Sequence, residues 1–450
     1  MDFVPHTENE FKEMLDEIGV KSFDELLSSI PDSLRKFEMK VPCGMSEMEV
    51  KSLLTSLAAK NIPTSQYDSY LGAGAYEHYI PSIVDHLAGR SEFYTAYTPY
   101  QAEASQGSLQ AMFEYQTAIC ELTEMEISNS SLYDAGSAIA EAAIAALRVG
   151  RKRNKILVSR TVHPEHRQII STYLKGLKTE IVEIAYKDGV TDLAQLEQIV
   201  DDDTAAVIIQ SPNFFGCIED MEAASGIAHK KDSQFIAVVN PITLGVLKPP
   251  GEYGADIAVG DGQPLGIPTS YGGPYLGFFA CTEKILRKVP GRLIGLAKDT
   301  EGRRGFVMTL QAREQHIRRD RATSNICTNQ ALMAIRALIF ACALGREGIR
   351  EVGELNINNS HYACEKITSI ADISRKFDAP FFNEFVVQMD SPPHEVNEKL
   401  LEQGILGGVP LGWWYPELDD CMLLCVTETK TKKQIDRFAG TLEGMNCRTA

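Results

Sequence analysis

Several polar residues stand where strand-like apolar runs end. Asn240 follows the apolar run 235–239, Gln263 lies in a turn beyond the run 257–259, and His163 comes shortly after the run 156–158. Ligands of open α/β sheets gather at the carboxyl ends of the strands. Amide and imidazole groups bind and orient ligands through hydrogen bonds. These residues are therefore the first candidates for a ligand site.

Four further stretches are too idiosyncratic to be explained by packing alone, and they span residues 71–81, 97–107, 311–319 and 322–330. Gly72 and Gly74 are typical of a nucleotide loop, but no strand and helix flank them in a compact unit. A close backbone approach at a subunit contact explains them better. The tyrosines 94, 97 and 100 fit interface packing and a site role equally well.

Other candidates for chemistry are histidines and a basic run. His163 and His166 have a spacing that suggests metal ligands, but Pro164 is expected to interrupt a helical pair and no third ligand is apparent, so we expect no metal site. The basic run is either a solvated surface or a set of guanidiniums for carboxylate or phosphate recognition. It consists of Arg303, Arg304, Arg313, Arg318, Arg319 and Arg321.

The elements that position these residues follow from periodicity. Residues 1–62 are predicted to form a helical amino-terminal arm, with capping-box signals at Thr7 and a second helix start at Ser22. From about residue 130 to 290, apolar runs alternate with helical stretches, which predicts βαβ crossovers and a mainly parallel sheet. We expect a large domain over 63–330 and a small carboxyl-terminal α/β domain over 331–450.

Composition excludes several classes of function. The net charge of −17 argues against nucleic-acid binding, which needs a positive surface. The longest apolar stretch, 331–344, contains Arg336 and falls short of the roughly 20 residues that span a bilayer, so we expect a core helix and no membrane segment. No secretory signal follows Met1, and the ten cysteines are scattered without metal spacing. We therefore expect a cytoplasmic protein.

The four idiosyncratic stretches closely resemble the glycine decarboxylase P-proteins of the glycine cleavage system, and among them the first subunit of the two-chain form. The resemblance extends from the amino-terminal helices to the carboxyl terminus. It implies fold type I of the pyridoxal-phosphate enzymes, which is aspartate-aminotransferase-like. It also implies decarboxylation of glycine on pyridoxal phosphate and transfer of the aminomethyl group to the lipoyl arm of the H-protein.

In this fold the turn after the run 257–259 carries the lysine that holds the cofactor as a Schiff base, and here Gln263 stands at that place. An amide nitrogen cannot form an imine. Asn240 replaces the aspartate expected at the pyridine nitrogen, and Asp134 stands at the start of the helix that would hold the phosphate. We therefore expect no catalytic residue in this chain and a cofactor bound covalently by a second subunit.

Active sites of this fold lie at subunit interfaces, so we expect this chain to complete its partner's site. The expected partners are the second P-protein subunit, in a dimer of heterodimers, and the lipoylated H-protein. Two rival functions are a self-sufficient pyridoxal-phosphate lyase or desulfurase, which would need a lysine before Lys284, and a scaffold that only supports its partner. The predicted substrate-binding residues are Tyr97, Thr98, Tyr100, Gln101, Ser105 and Gln106, and the predicted cofactor-binding residues are Thr323, Ser324 and Asn325.

Overall fold

The computed structural model describes residues 6–35, 40–150, 152–322 and 324–446, and the chain forms two compact units that divide between Pro63 and Thr64. The amino-terminal unit is helical, as predicted, and contains α1 (Glu8–Ile18), α2 (Phe23–Leu26), α3 (Asp32–Arg35) and α4 (Glu47–Ala58). A capping box of Thr7 and Glu10 starts α1. A second box, of Ser46 and Glu49, starts α4. Reciprocal hydrogen bonds of this kind satisfy backbone donors at a helix start.

The second unit contains the remaining elements. Its helices are α5 (Ser82–Ala88), α6 (Ser91–Tyr94), α7 (Gln106–Thr123), α8 (Ala135–Val149), α9 (Pro164–Leu174), α10 (Leu193–Ile199), α11 (Met221–His229), α12 (Gln315–Arg318), α13 (Ala331–Thr368), α14 (Pro393–Glu402) and α15 (Lys432–Asn446). Its strands are β1 (Asp68–Ser69), β2 (Ile127–Ser128), β3 (Lys155–Ser159), β4 (Glu180–Ile184), β5 (Tyr186–Lys187), β6 (Val190–Thr191), β7 (Thr204–Ser211), β8 (Gln234–Val239), β9 (Ile257–Asp261), β10 (Gly277–Cys281), β11 (Leu293–Lys298), β12 (Arg304–Thr309), β13 (Ile373–Arg375), β14 (Glu384–Met389), β15 (Ile405–Leu406), β16 (Val409–Pro410) and β17 (Cys421–Cys425).

A seven-stranded sheet in the order β2-β10-β9-β8-β7-β3-β4 is the centre of this unit. Parallel pairing joins β9 to β8, β8 to β7, β7 to β3 and β3 to β4. The strand β10 is antiparallel to both of its neighbours, β2 and β9. Five apolar runs between residues 130 and 290 predict its strands, and they are confirmed as β3, β4, β7, β8 and β9; the runs are 156–158, 181–184, 206–209, 235–239 and 257–259. The predicted parallel sheet is therefore confirmed.

Both faces of the sheet are covered by apolar helices. Along β3, Leu157 lies in one hydrophobic cluster with residues of α7, α11 and α13. Its neighbours Ile156 and Val158 lie in the other cluster, with α8 and α9. Successive side chains of a strand point to opposite faces, so a strand buried on both faces has a continuous apolar sequence. This two-sided burial fixes the carboxyl ends of β7, β8 and β9 at one edge.

The small antiparallel sheet has the order β13-β14-β17-β16. Its strands β14 and β17 contain the apolar runs 385–389 and 422–426, which the sequence predicts to be the clearest strands after residue 372. The long helix α13 is interrupted at Gly345, whose backbone (φ 61°, ψ −174°) is non-helical, so the predicted core helix 331–344 is its first half. None of the helices in the described part of the chain is long and apolar enough to cross a membrane.

Candidate functional site

A small cavity lies at the carboxyl ends of β7, β8 and β9, where the fold predicts a ligand. Its volume is about 40 Å³. Sites for small-molecule ligands usually have about 300–1,000 Å³, so this cavity has room only for a few waters. Its lining residues are Gly74, Tyr76, Ala135, His166, Gln210, Pro212, Val238, Val239, Asn240, Gly260, Asp261, Pro264 and Asn383.

Gln263 lies next to a cavity residue, Pro264, and its side-chain amide bonds the segment that contains Tyr76. Its Oε1 accepts a hydrogen bond of 2.9 Å from the Tyr76 backbone N–H. Its Nε2 donates to the Tyr76 carbonyl at 2.9 Å and to the Ile267 carbonyl at 2.7 Å. The residue is only 1% exposed. The amide at the position where a lysine is expected is thus bonded at both of its ends. It holds residues 72–76, called here the glycine-rich segment, against the seven-stranded sheet.

The start of α8, where a phosphate would be expected, is occupied by two carboxylates of the chain itself. Asp134 is the N-cap, as predicted, and accepts from Ser137 N–H at 2.7 Å. Asp261 accepts from Ala135 N–H at 3.1 Å and from Gln263 N–H at 2.8 Å. Burial, together with the nearby Asp134, raises the pKa of Asp261 to about 7. A helix start whose N–H groups already have acceptors is poorly suited to an anionic ligand.

Asn240 lies at the end of β8, as predicted, and lines the cavity. Its side-chain oxygen accepts a hydrogen bond from Ile242 N–H at 3.0 Å, which starts a short 3₁₀ turn. The amide is therefore a local cap at the place where the resemblance implies an aspartate.

The expectation that Pro164 interrupts a helical pair of histidines is wrong. Proline is favoured at the first position of a helix, and α9 begins at Pro164 with His163 as its N-cap. The His163 Nε2–H donates to the Ala73 carbonyl at 2.9 Å, and the His166 ring stacks on His163 with centroids 4.5 Å apart. Burial lowers the pKa of His166 to about 3. A neutral ring of this chain therefore covers the face of His163.

The glycine-rich segment is also held by a buried acid, Glu384, that the sequence did not single out. Glu384 accepts from Ala73 N–H at 2.6 Å and from the Tyr76 hydroxyl at 2.7 Å. A Cβ on Gly72 would lie 2.3 Å from Glu384 Oε1. The close approach at Gly72 is thus to the chain's own small sheet, and no subunit contact is needed to explain it. Burial raises the pKa of Glu384 to about 7.

A second candidate site is an exposed group of aromatic side chains, called here the tyrosine surface, formed by Tyr94, Tyr97 and Tyr100. These rings are 70%, 73% and 55% exposed. The Tyr97 hydroxyl lies 3.2 Å from Thr328 Oγ1. The Tyr100 ring contacts His316 edge-on. The structure therefore brings three of the idiosyncratic stretches together, which are 97–107, 311–319 and 322–330.

The other predicted substrate-binding residues are less accessible or already bonded. Gln106 donates to the Phe306 carbonyl and accepts from Phe306 N–H, both at 2.8 Å, so its amide ties α7 to β12. Gln101 donates to Glu103 at 3.1 Å. Ser105 is the N-cap of α7 without a side-chain capping bond. Thr98 has a buried hydroxyl without a hydrogen-bond partner among the described residues.

The predicted cofactor loop is only partly described. Thr323 lies outside the described residues, and Asn325 is exposed. Ser324 accepts from Ile326 N–H at 3.0 Å and also bonds to Glu141 of α8. Burial raises the pKa of Glu141 to about 7. Ser324 is thus tied to the interior of its own chain.

The basic run does not form one surface. Arg303 pairs with Asp299 at 2.8 Å and with Glu301 at 3.0 Å. The Arg304 guanidinium lies over the Phe306 ring at 5.6 Å. Arg313, Arg318 and Arg321 instead line a separate cavity. Arg303 and Arg304 lie at the β11–β12 hairpin, apart from the other arginines. The interpretation that the whole run forms one set of guanidiniums for carboxylate or phosphate recognition is therefore wrong for these two residues.

Comparison with known proteins identifies the family. The family model described as "Glycine cleavage system P-protein" matches residues 1–442. The chain belongs to this family. The resemblance inferred from the sequence is confirmed.

The names of two relatives agree with this family assignment. A protein of Anoxybacillus flavithermus named probable glycine dehydrogenase (decarboxylating) subunit 1 is 54% identical over 445 residues, which cover 99% of this chain and 99% of the relative. A Bacillus subtilis protein of the same name is 54% identical over 435 residues, with 96% and 97% covered.

Solved structures confirm the predicted fold class, which is fold type I. The crystal structure of glycine decarboxylase (P-protein) of the glycine cleavage system in an inhibitor-bound form superimposes with a TM-score of 0.89 at 41% identity, over 99% of this chain and 100% of that chain. Glutamate decarboxylase of Lactobacillus brevis has a TM-score of 0.69 at 12% identity, over 92% of this chain and 96% of that chain. At that identity the second likeness shows the fold alone.

Proposed function

We propose that this chain is subunit 1 of a two-chain glycine dehydrogenase (decarboxylating), and that it completes the active site of a second subunit that holds pyridoxal phosphate. The enzyme decarboxylates glycine and passes the aminomethyl group to the lipoyl arm of the H-protein. The family and the subunit 1 names of its relatives support this role. Pyridoxal phosphate supplies the electron sink when it is bound by the partner.

The small size of the cavity at the ends of β7, β8 and β9 is the observation that carries the proposed division of labour between the two subunits. With about 40 Å³ of space, Gln263 bonded on both ends of its amide, and the α8 start taken by Asp134 and Asp261, the residues present do not fit pyridoxal phosphate. An amide also provides no imine-forming nitrogen. In this proposal the cavity at the ends of β7, β8 and β9 anchors no cofactor. The chain then contributes to the partner's active site through residues on its surface.

We assign that contribution to the tyrosine surface and to residues 323–325. Tyr97 and Tyr100 present large, rigid faces with polar tips, which suit a contact that positions a ligand. The other predicted substrate contacts lie close to these two tyrosines in the sequence, and they are Thr98, Gln101, Ser105 and Gln106. Gln106 and Ser324 are tied to their own chain, so we expect them to act by holding neighbouring residues in place.

The decisive test is reconstitution. The chain is mixed with its second subunit and the H-protein, and glycine-dependent exchange of CO2 is measured. We expect exchange from the mixture and none from this chain alone. Exchange by this chain alone at the rate of the mixture would contradict the proposal.

Substitution of Tyr97 separates a catalytic contribution from a scaffold. We expect Tyr97→Ala to lower the exchange rate by roughly tenfold or more, a loss of about 1.4 kcal/mol in transition-state stabilisation, while sedimentation shows the complex intact. Tyr173→Ala on α9 is the matched control, because Tyr173 is also exposed but lies outside the tyrosine surface. Equal rates for both variants would favour the scaffold alternative.

Residues 323–325 are tested through the cofactor. Replacement of Thr323, Ser324 and Asn325 by alanine should weaken retention of pyridoxal phosphate by the partner, measured by its absorbance after dialysis. Ser324→Ala alone serves as the control for the internal bond to Glu141. If the triple variant retains both cofactor and turnover, the loop is only structural.

We further propose a stable dimer of heterodimers in the cytoplasm. Obligate interfaces bury about 2,000 Å² or more in total, and α4 contributes exposed apolar residues such as Met48, Leu54 and Leu57. The described cysteines are free thiols, which suits a reducing compartment. Sedimentation of the co-expressed chains should show one heteromeric species, and separate chains would contradict the assembly.

A further inference from the structure

A cavity of about 350 Å³, called here the arginine cavity, lies between the 3₁₀ segment after β10 and the segment that follows β12. It is lined by Arg287, Leu310, Ala312, Arg313, Arg318 and Arg321. Four of these six residues carry guanidinium groups. Its volume is within the range usual for small-molecule sites, about 300–1,000 Å³, and it is separate from the small cavity at the sheet edge.

Two of the guanidiniums are held in place by the backbone. Arg313 donates to the Val289 carbonyl and, at 2.8 Å, to the Gly291 carbonyl. Arg318 donates from Nε to the Ala312 carbonyl at 3.0 Å. These bonds fix the orientation of the side chains and leave further N–H donors on the Arg318 guanidinium. Preorganised donors lose less entropy when a ligand binds.

Among the described residues, no ion pair joins Arg287, Arg313, Arg318 or Arg321 to a carboxylate. Burial lowers the pKa of Arg313, and the nearby Glu314 offsets part of that effect. Arg287, Arg318 and Arg321 are exposed. Like charges gathered in one concave site repel each other, and an anion bound there offsets that cost. Such a cluster is unusual in a chain with a net charge of −17.

We propose that the arginine cavity binds the phosphate group of a small phosphorylated molecule. A phosphate carries up to two negative charges and three terminal oxygens, and guanidiniums bind such groups bidentately. A single carboxylate offers one charge and two oxygens, so it satisfies fewer of the four arginines. This inference does not depend on the glycine dehydrogenase function, because it concerns only residues of the arginine cavity.

Calorimetric titration with inorganic pyrophosphate tests the site. The titration is done at constant ionic strength, both on this chain and on its complex with the second subunit. We expect saturable binding at one site in both. The double variant Arg287→Gln, Arg321→Gln should weaken binding at least tenfold, and Arg287→Lys, Arg321→Lys should weaken it less, because lysine keeps the charge but loses the fork.

Arg303→Gln is the matched control and should leave binding unchanged, since Arg303 already pairs with Asp299 and Glu301. Both Arg287 and Arg321 are exposed, and circular dichroism checks that their variants are folded. Absence of saturable binding, or equal binding by the glutamine double variant, would overturn the proposal. Binding by the free chain that is lost in the complex would also overturn it, because carboxylates of the partner would then be the occupant.

Discussion

Replacing Gln263 by methionine tests whether one side-chain amide holds the glycine-rich segment in place. Methionine is similar in volume and flexible, so the packing should change little. It neither accepts from Tyr76 N–H nor donates to the Tyr76 and Ile267 carbonyls, and all three bonds are lost. Each such bond contributes about 0.5–1.5 kcal/mol net. The free energy of unfolding should therefore fall by about 3 kcal/mol.

Two measurements check this expectation. Denaturant unfolding gives the change in free energy, and hydrogen exchange followed by peptide mapping reports the protection of the Tyr76 amide, which loses its acceptor. Gln168→Met is the control, since Gln168 is exposed on α9 and its substitution should change stability by less than about 0.5 kcal/mol. A loss below about 1 kcal/mol for Gln263→Met, with the Tyr76 amide still protected, would refute the assignment of Gln263 as the residue that holds the glycine-rich segment.

Three further outcomes are expected. Gln263→Lys should not give a borohydride-reducible pyridoxal-phosphate adduct in the isolated chain, because the cavity of about 40 Å³ leaves no room for the cofactor; a stoichiometric phosphopyridoxyl-lysine on peptide mapping would contradict this. The pKa of Glu141 is raised by burial to about 7, so its contribution to the free energy of unfolding is present below about pH 4.5 and is lost as the pH rises through 7. Relative to wild type, Glu141→Gln should therefore gain up to about 3 kcal/mol between pH 4.5 and pH 8, and parallel denaturation curves across that range would count against it. Asp134→Ala removes the N-cap of α8 and should cost about 1 kcal/mol in urea unfolding, while Asp134→Asn should cost less.

Apolar patterning was sufficient to predict the sheet and the polar residues at its edge. The runs that became β7, β8 and β9 are buried on both faces, and such runs are continuous in sequence. Asn240 and Gln263 could therefore be placed at strand ends from the sequence. What each amide bonds was not predictable, because Gln263 meets Tyr76 across 187 residues and no local pattern records that contact.

The buried acids show a second limit of the sequence. Glu141 and Glu384 are 4% and 3% exposed, although glutamate is rarely buried. Each is satisfied by partners far along the chain, Ser324 for Glu141 and Ala73 with Tyr76 for Glu384. A spacing rule detects a cap such as Thr7, whose partner Glu10 lies three residues away. It does not detect acids whose partners are set by tertiary packing.

The internal hydrogen bonds around the small cavity at the ends of β7, β8 and β9 have a consequence for assembly in the cell. A protein that binds a cofactor only in its folded state gains stability in proportion to the logarithm of the free cofactor concentration. Here Gln263, His166 and the two aspartates at α8 supply internally what a bound ligand would otherwise supply. The chain should therefore fold equally well whether vitamin B6 is scarce or plentiful. Its abundance would then be insensitive to nutrition, and under the proposed division of labour the folded chain would be ready to join a partner that carries the cofactor.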